Sequence, residues 1–303
     1  MTAPAPPERE PAAHVERLVL DTPRGRFEAL AAGPTDAPPV IVLHGFPDAP
    51  PTFASLLAAL ARRGHRAVAP WLRGYAPSIV DGPYDVETLA DDVAAWADVL
   101  SPDAPVRLVG HDWGAIATYA ACSRHRARVA AAVTLAVPHP LAFLRALDAA
   151  QVVRSWYMLF FQLPGAPRLA RARDFALVDR LWRRWSPRHR LPPALRAELH
   201  ACLAASWPAP LLYYRALLRP FGPAVARVRR DSPAATPSTV PTLYLHGADD
   251  GCIGVDAERD ADRYFAGPYR FEVLAGAGHF LAAERPEDVA ARADAWFRAH
   301  GGG

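Results

Sequence analysis

The chain has 303 residues, of which 51% are hydrophobic and 21% charged, a balance that suits one large globular domain or one domain with an insertion. Its formal net charge is +3, which is too small an imbalance to argue for nucleic-acid binding. No apolar run reaches the roughly 18 residues that span a bilayer, and the first residues lack the basic start and apolar stretch of a secretory signal. We therefore expect a cytoplasmic protein that binds neither nucleic acid nor a membrane.

The three cysteines are odd in number and far apart, so they form neither a disulfide framework nor a CxxC metal pair. We expect their side chains to be buried as small apolar groups. The sequence also lacks a metal-ligand cluster and a glycine-rich phosphate loop. We therefore expect no metal and no cofactor.

Short β-branched runs alternate with longer amphipathic runs along most of the chain, starting near His14. This alternation predicts a mostly parallel sheet covered by helices on both faces. The predicted strands are RLVL and RFEAL, then 40–45, 66–71, 106–110, 129–137, 241–247 and 269–274. The predicted helices between and after them are 52–63, 86–100, 113–123, 255–265 and 286–299.

The strand pattern stops over residues 138–239, where helix-like stretches rich in Trp, Tyr, Leu and Arg replace it. This segment contains 16 Arg against 5 acidic residues, a shift in composition that indicates an inserted unit. Its helical stretches lie near 141–160, 172–185, 194–205 and 210–218. We therefore expect a loose arm at 1–13, a core built from 14–137 and 240–303, and a helical cap at 138–239.

The most specific motif is Gly110-His111-Asp112-Trp113-Gly114, which joins the apolar strand VRLVG to a predicted helix. Small residues two before and two after the central residue permit the sharp turn that presents a nucleophile above a sheet. Here the central residue is a carboxylate, which can attack an alkyl carbon and form an ester without prior deprotonation. The alternative is a turn in which Asp112 only caps the following helix.

A second turn, His44-Gly45-Phe46-Pro47, directly follows the apolar run VIVL. In the arrangement that such a nucleophile turn predicts, the residue after the nucleophile and a residue of this earlier loop supply backbone N–H groups to an oxyanion. The candidates are the amides of Phe46 and Trp113. An ordinary turn at the end of a strand is the alternative.

The partners of the nucleophile are expected downstream, in the order nucleophile, acid, histidine. Asp250 follows the strand LYLHG with a G-x-x-D spacing, and His279 follows the next strand in AGAGHF. We favour Asp250 over the adjacent Asp249 as the acid, and we expect His279 to be the base. His44 and His111 are expected to support the turns, and His139 at the start of the predicted cap could reach the pocket.

With these motifs the chain resembles the α/β-hydrolase superfamily and, within it, the epoxide hydrolases. The resemblance covers about residues 14 to 300 and rests on HGFP, GHDWG, GADD and GAGH in that order. It implies an α/β-hydrolase fold with a helical cap inserted after the sixth strand. In that family the cap carries two tyrosines that hold the epoxide oxygen, and the resemblance assigns these roles to Tyr157 in SWYMLFFQ and to Tyr214 in LLYYR, with Tyr213 as the alternative to Tyr214.

The resemblance implies an epoxide hydrolase that converts a small apolar epoxide and water to a vicinal diol through an ester on Asp112. A haloalkane dehalogenase would share that nucleophile but needs N–H donors for the departing halide. Its Trp-plus-Asn version is excluded because position 46 is Phe and the chain has no Asn, but a version with Trp113 and a cap tryptophan stays open. A non-catalytic, ligand-binding relative is the third possibility.

Overall fold

The computed structural model describes residues 14–220 and 236–302. The predicted arm at 1–13 lies outside the described residues, as do residues 221–235 of the predicted cap. Along the described part of the chain no helix is long and apolar enough to cross a bilayer.

The described strands form one eight-stranded sheet in the order β1-β2-β4-β3-β5-β6-β7-β8. Strands β1 and β2 pair antiparallel with each other, β2 pairs antiparallel with β4, and the pairs from β4 to β8 are parallel. The predicted mostly parallel sheet is therefore confirmed. The strands are β1 (Glu16–Thr22), β2 (Gly25–Ala32), β3 (Pro39–Leu43), β4 (Arg66–Pro70), β5 (Val106–His111), β6 (Val129–Leu135), β7 (Thr242–Gly247) and β8 (Tyr269–Leu274).

Helices cover both faces of the sheet because successive strand residues point to opposite sides. Val40 and Val42 of β3 belong to one buried cluster, and Ile41 and Leu43 belong to the other. Helices α1 and α11 pack on the first cluster, and helices α2 and α3 on the second. Their bounds are α1 (Ala54–Ala61), α2 (Val86–Leu100), α3 (Trp113–Arg124), α10 (Leu281–Glu284) and α11 (Pro286–His300).

Between β6 and β7 the described residues form helices and no strand of the sheet. The expected single stretch at 141–160 is divided into three short helices. Asp148 accepts a capping bond from the Gln151 N–H and starts the second of them. The helices are α4 (Pro140–Arg145), α5 (Ala149–Arg154), α6 (Trp156–Phe160), α7 (Ala166–Trp185), α8 (Pro193–Ser206) and α9 (Ala209–Leu218). Residues 172–175 interrupt α7 with non-helical dihedral angles. The division into core and cap stays a prediction.

The expected helix at 255–265 is wrong. The chain forms two single 3₁₀ turns there, Val255–Glu258 and Ala261–Tyr264. Asp260 between them has φ of 61°, a left-handed conformation that an α-helix cannot accommodate.

Candidate active site

The turns that follow β3, β5, β7 and β8 carry the residues that the motifs predicted. Because these four strands are parallel, their carboxyl ends lie along one edge of the sheet. This edge is where ligands bind in open α/β sheets. The topology thus gathers side chains that are far apart in sequence.

Asp112 lies in the sharp turn between β5 and α3. Its φ of 53° and ψ of −115° are unusual for a residue with a side chain, which is the strain expected of a nucleophile turn. Among the described residues its carboxylate makes no capping bond to α3, so the helix-cap alternative is not supported. The side chain is buried.

Glycines make this turn possible because other backbone passes very close to them. A Cβ on Gly110 would lie 2.3 Å from the carbonyl oxygen of Gly114, and one on Gly114 would lie 2.3 Å from that of Leu43. A Cβ on Gly45 would lie 2.4 Å from Oδ1 of Asp112. The two motifs therefore need their glycines to bring the HGFP turn against the carboxylate.

The HGFP turn already donates to the carboxylate. The Phe46 N–H donates to Oδ1 of Asp112 at 2.7 Å. His44 supports this turn through Nδ1, 3.0 Å from the Gly45 carbonyl, and through Nε2, which accepts from the Leu72 N–H at 3.0 Å. Trp113, the second candidate donor, is the first residue of α3, directly after Asp112. The predicted supporting role of His44 agrees with these contacts.

His279 and Asp250 meet at the same edge. Nδ1 of His279 donates to Oδ2 of Asp250 at 2.8 Å, and Nε2 lies 3.6 Å from Oδ2 of Asp112. Oδ1 of Asp250 accepts from the N–H groups of Cys252 and Ile253 at 2.7 and 3.0 Å, which fixes the carboxylate. The three proposed triad side chains are thus neighbours in the order Asp112, His279, Asp250.

The charges of these three side chains shift the pKa values of His279 and Asp250. Burial lowers the pKa of His279, but the Asp250 charge and the contacts with Asp112 and Asp250 outweigh burial and raise it to about 10. Burial raises the pKa of Asp250, but the charge and hydrogen bond of His279 outweigh it, so the net shift is downward. His279 therefore carries a proton at neutral pH, and its ring lies between the side chains of Asp250 and Asp112.

The rival acid, Asp249, faces away from these three side chains. Its Oδ2 pairs with Nε of Arg188 at 2.8 Å, on a partly exposed surface. The structure therefore brings Asp250, and not Asp249, to His279.

The two predicted cap tyrosines lie next to each other in the interior. Tyr157 on α6 and Tyr214 on α9 have ring centroids 5.7 Å apart, and Tyr214 also contacts the rings of Phe46 and Trp113 at 5.5 and 5.1 Å. The Tyr157 hydroxyl lies 3.4 Å from Sγ of Cys252. Burial, and secondarily the Asp112 charge, raises the pKa of Tyr214 well above its ordinary value, so this hydroxyl stays protonated.

Residues beside these tyrosines dock α6 against α9. Nε2 of Gln162 donates to the Tyr214 carbonyl at 2.8 Å, and Nε of Arg215 donates to the Phe161 carbonyl at 3.0 Å. The motif contexts that suggested Tyr157 and Tyr214 are thus the contacts that hold the two helices together.

Tyr213 has a different position. Its hydroxyl donates to the backbone carbonyl of Arg73, and its ring packs against Tyr75, Tyr84 and Trp113. With its donor already used, Tyr213 is a packing residue. The Tyr214 hydroxyl lies beside the Trp113 side chain, whose N–H can only donate, so no acceptor for the Tyr214 hydroxyl proton is seen among the described residues.

Sequence reasoning missed Asp48, which directly follows HGFP. Its carboxylate is buried and accepts from the Ala49 N–H at 2.9 Å and from the Thr52 hydroxyl. Its Oδ2 lies 3.8 Å from Nδ1 of His111, whose Nε2 donates to the His279 carbonyl at 2.9 Å. The supporting role expected for His111 is consistent with this contact. An acidic residue inside an otherwise apolar, turn-forming run was the available signal.

Among the described residues, His139 makes no hydrogen bond or ring contact with Asp112, Asp250 or His279. Its Nδ1 accepts from the Leu141 N–H at 3.3 Å at the start of α4, and its ring stacks on Tyr264 at 4.5 Å. Burial lowers its pKa to about 3, so it is a neutral packing and capping residue. Over residues 14–220 and 236–302, no group of three or more His, Cys, Asp or Glu side chains is arranged to hold a metal ion.

Comparison with known proteins agrees with the geometry. The family described as alpha/beta hydrolase fold matches residues 38–286. Epoxide hydrolase A of Mycobacterium tuberculosis is 32% identical over 92% of this chain and 96% of its own length. Epoxide hydrolase 3 of Xenopus tropicalis is 31% identical over 87% of this chain and 72% of its own.

Solved structures agree in fold. Epoxide hydrolase A from Mycobacterium thermoresistibile has a TM-score of 0.78 at 24% identity, covering 95% of this chain and 99% of that one. The inhibitor complex of the Bacillus megaterium epoxide hydrolase has a TM-score of 0.80 at 21% identity, covering 93% and 100%. The chain therefore belongs to the α/β-hydrolase superfamily and, within it, to the epoxide hydrolase family.

Proposed function

We propose that the chain hydrolyses a small apolar epoxide to a vicinal diol through a covalent ester on Asp112. The observation that carries this proposal is a carboxylate in a strained nucleophile turn, with Oδ2 3.6 Å from Nε2 of His279 and a buried tyrosine pair on the cap side. The relatives of this chain that are named epoxide hydrolases support the same activity.

In the first step a carboxylate oxygen of Asp112 attacks one epoxide carbon. The ring C–O bond breaks, its electron pair goes to the oxygen, and that oxygen takes a proton from Tyr157 or Tyr214. Because burial holds the pKa of both hydroxyls well above the ordinary value, both carry a proton to donate. The products of this step are a hydroxyalkyl ester and a tyrosinate.

The second step needs a base, and ester formation itself prepares one. The ester removes the negative charge of Asp112, one of the groups that raise the pKa of His279. The pKa of His279 therefore falls, and His279 gives its own proton to the tyrosinate, which restores the tyrosine hydroxyl and leaves His279 neutral. Neutral His279, oriented by Asp250, then takes a proton from water while the water oxygen attacks the ester carbon.

The tetrahedral intermediate carries an oxyanion, which the N–H groups of Phe46 and Trp113 stabilise. The Phe46 N–H donates to Oδ1 of Asp112 at 2.7 Å in the free protein, so this donor is in place before the reaction. The C–O bond to the substrate then breaks, the leaving oxygen takes the proton from His279, and the diol departs. Asp112, left as the carboxylic acid, gives its proton to His279, which restores the starting state. Removing one such donor typically costs about 10²–10³ in rate.

One observation favours haloalkane dehalogenation as the second candidate. The buried Trp185 ring lies 4.9 Å from Tyr157 and 5.1 Å from His279, and its Nε1–H has no partner among the described residues. Trp185 could join Trp113 as a halide donor because its ring contacts His279, whereas Nε1 of Trp182 and of Trp207 already donate to the Pro47 and Pro167 carbonyls.

A substrate panel separates the two candidates. We would assay terminal, styrene-type and trans-disubstituted epoxides for diol, and bromoalkanes of matched size for halide, with wild type and Asp112→Ala. We expect diol from wild type only. Halide release without diol would replace the epoxide hydrolase proposal with dehalogenation.

The tyrosines give an independent test of the first step. An opening epoxide needs a proton, whereas a departing halide needs only N–H dipoles, so Tyr157→Phe plus Tyr214→Phe should nearly abolish ester formation from an epoxide. Tyr213→Phe, whose hydroxyl is used by the Arg73 carbonyl, is the matched control and should change the rate little. An unimpaired double variant would contradict the assigned roles.

The cellular compartment and the partners of the enzyme belong to the same proposal. We propose a cytoplasmic enzyme because its three cysteines are free and two of them are buried, which suits a reducing compartment. Epoxide and water are its proposed partners. Cell fractionation that places the protein outside the cytoplasm would contradict the first statement.

A further inference from the structure

One carbonyl at the end of α7 binds the loops of both the acid and the base. The Trp185 carbonyl accepts from the Gly251 N–H and from the His279 N–H, each at 3.1 Å. Gly251 directly follows Asp250. The two loops that bring the acid and the base together are therefore joined to each other through a helix between β6 and β7.

The next residue continues this attachment. Oγ of Ser186 accepts from the Phe280 N–H at 3.1 Å and donates to Oε1 of Glu284 at 2.6 Å. Oε2 of Glu284 accepts from the Gly278 N–H at 2.9 Å. Three consecutive backbone N–H groups, those of 278, 279 and 280, are thus held by the α7 terminus or by the carboxylate that Ser186 binds.

The end of α7 lies so close to the loops of Asp250 and His279 that each loop needs a glycine at the contact. A Cβ on Gly251 would lie 2.1 Å from the Arg184 carbonyl oxygen, and one on Gly278 would lie 2.6 Å from Cα of Ser186. Ser186 itself is fully buried, so water cannot replace its hydroxyl without rearrangement. The contact between the end of α7 and the loops of Asp250 and His279 is therefore buried and closely packed.

We propose, on the basis of the function proposed above, that Ser186 together with Glu284 is a positioning residue for His279 in ester hydrolysis. His279 must keep Nδ1 on Asp250 while Nε2 faces water at the ester, and this needs a fixed backbone at 278–280. Ester formation does not need it, because within residues 14–220 and 236–302 no hydrogen bond joins Ser186 to Asp112, Phe46 or the two tyrosines. Removing the Ser186 hydroxyl or the Glu284 carboxylate should therefore slow ester hydrolysis and leave ester formation unchanged.

The test is a single-turnover comparison of Ser186→Ala, Glu284→Gln and wild type with a terminal epoxide. Acid-quenched samples analysed by intact mass give the rate of ester formation and of ester loss. We expect ester loss to slow about tenfold, since a buried N–H loses its acceptor, with ester formation unchanged. In steady state kcat and KM should then fall together, with kcat/KM conserved.

Ser206→Ala is the matched control. Ser206 is also a buried serine between β6 and β7. Its Oγ accepts from the Ala76 N–H at 2.8 Å and donates to the Cys202 carbonyl at 2.6 Å, and in the described part of the chain it makes no hydrogen bond to the triad loops. It has the same kind of hydroxyl, so its loss reports the generic effect on stability. We expect both steps to keep their wild-type rates in this variant.

Equal slowing of both steps, or no slowing in Ser186→Ala and Glu284→Gln, would overturn the inference. If Ser186→Ala fails to fold, Glu284→Gln alone must show the selective loss, and otherwise the inference is wrong. Wild-type enzyme that forms neither ester nor diol would instead overturn the proposed function, so the two failures are distinguishable.

Discussion

Replacing Asp48 with Asn should stabilise the protein at pH 8 and change its stability little near pH 4. Burial raises the pKa of Asp48 from 3.8 to about 7, against the hydrogen bonds of Thr52 and Ala49, which lower it, and the Asp112 charge raises it further. The unfolded chain releases this proton at a lower pH than the native protein does. Between about pH 4 and 7 the native state therefore holds a proton that the unfolded state lacks.

The sign follows from this difference. Because the native state binds more protons in that window, the free energy of unfolding falls as pH rises through it. About three pH units at about 1.4 kcal/mol each give an upper bound of roughly 4 kcal/mol by pH 8. Asn does not titrate, keeps an oxygen for the Ala49 N–H and Thr52 hydroxyl, and can turn its amide N–H toward Nδ1 of His111, 3.8 Å from Oδ2 in the wild type.

Urea unfolding at pH 4, 6 and 8 measures the effect directly. We expect the stability difference between Asp48→Asn and wild type to grow with pH in favour of the variant. Asp36→Asn, at an exposed carboxyl, is the control and should show no such trend. A difference for Asp48→Asn that is constant across the three pH values would refute the reasoning.

Three further outcomes are expected. Gly110→Ala should lower the free energy of unfolding by about 1–3 kcal/mol and abolish turnover, because its Cβ would lie 2.3 Å from the Gly114 carbonyl oxygen; wild-type melting would contradict this. The fraction of enzyme trapped as the Asp112 ester, by acid quench and intact mass, should rise as pH falls below neutral, because hydrolysis needs neutral His279; a pH-independent fraction would argue against that base. In the native state the Cys252 thiol should resist a thiol reagent, since burial raises its pKa and shields it, and it should react fully in urea.

The sequence predicted the sheet well because strands such as β3 and β6 are nearly continuous apolar runs, and β2 and β8 mix apolar and polar residues over a short, strand-length run. It failed where backbone conformation is decided by single residues. The left-handed Asp260 divides the expected helix at 255–265 into two 3₁₀ turns, and the Asp148 cap divides the expected helix at 141–160. Neither feature alters hydrophobic periodicity, so periodicity could not reveal it.

Prediction of the site succeeded where motifs follow strands. Asp112, Asp250 and His279 each follow a parallel strand, so the topology alone brings them to one edge of the sheet. Asp48, Ser186 and its partner Glu284 were missed because their significance lies in contacts between distant segments. In the sequence, Ser186 is only one polar residue at the end of a helix. Nothing there shows that its hydroxyl binds the loop of His279.

The most direct test of the covalent scheme is a single turnover in ¹⁸O-labelled water with enzyme in excess over a terminal epoxide. Water attacks the ester carbon of the enzyme and not the substrate, so we predict that peptide mass spectrometry finds the label in the Asp112 carboxylate and that the first-turnover diol is unlabelled. Label in that diol, with Asp112 unlabelled, would show direct attack of water on the epoxide and contradict the ester intermediate.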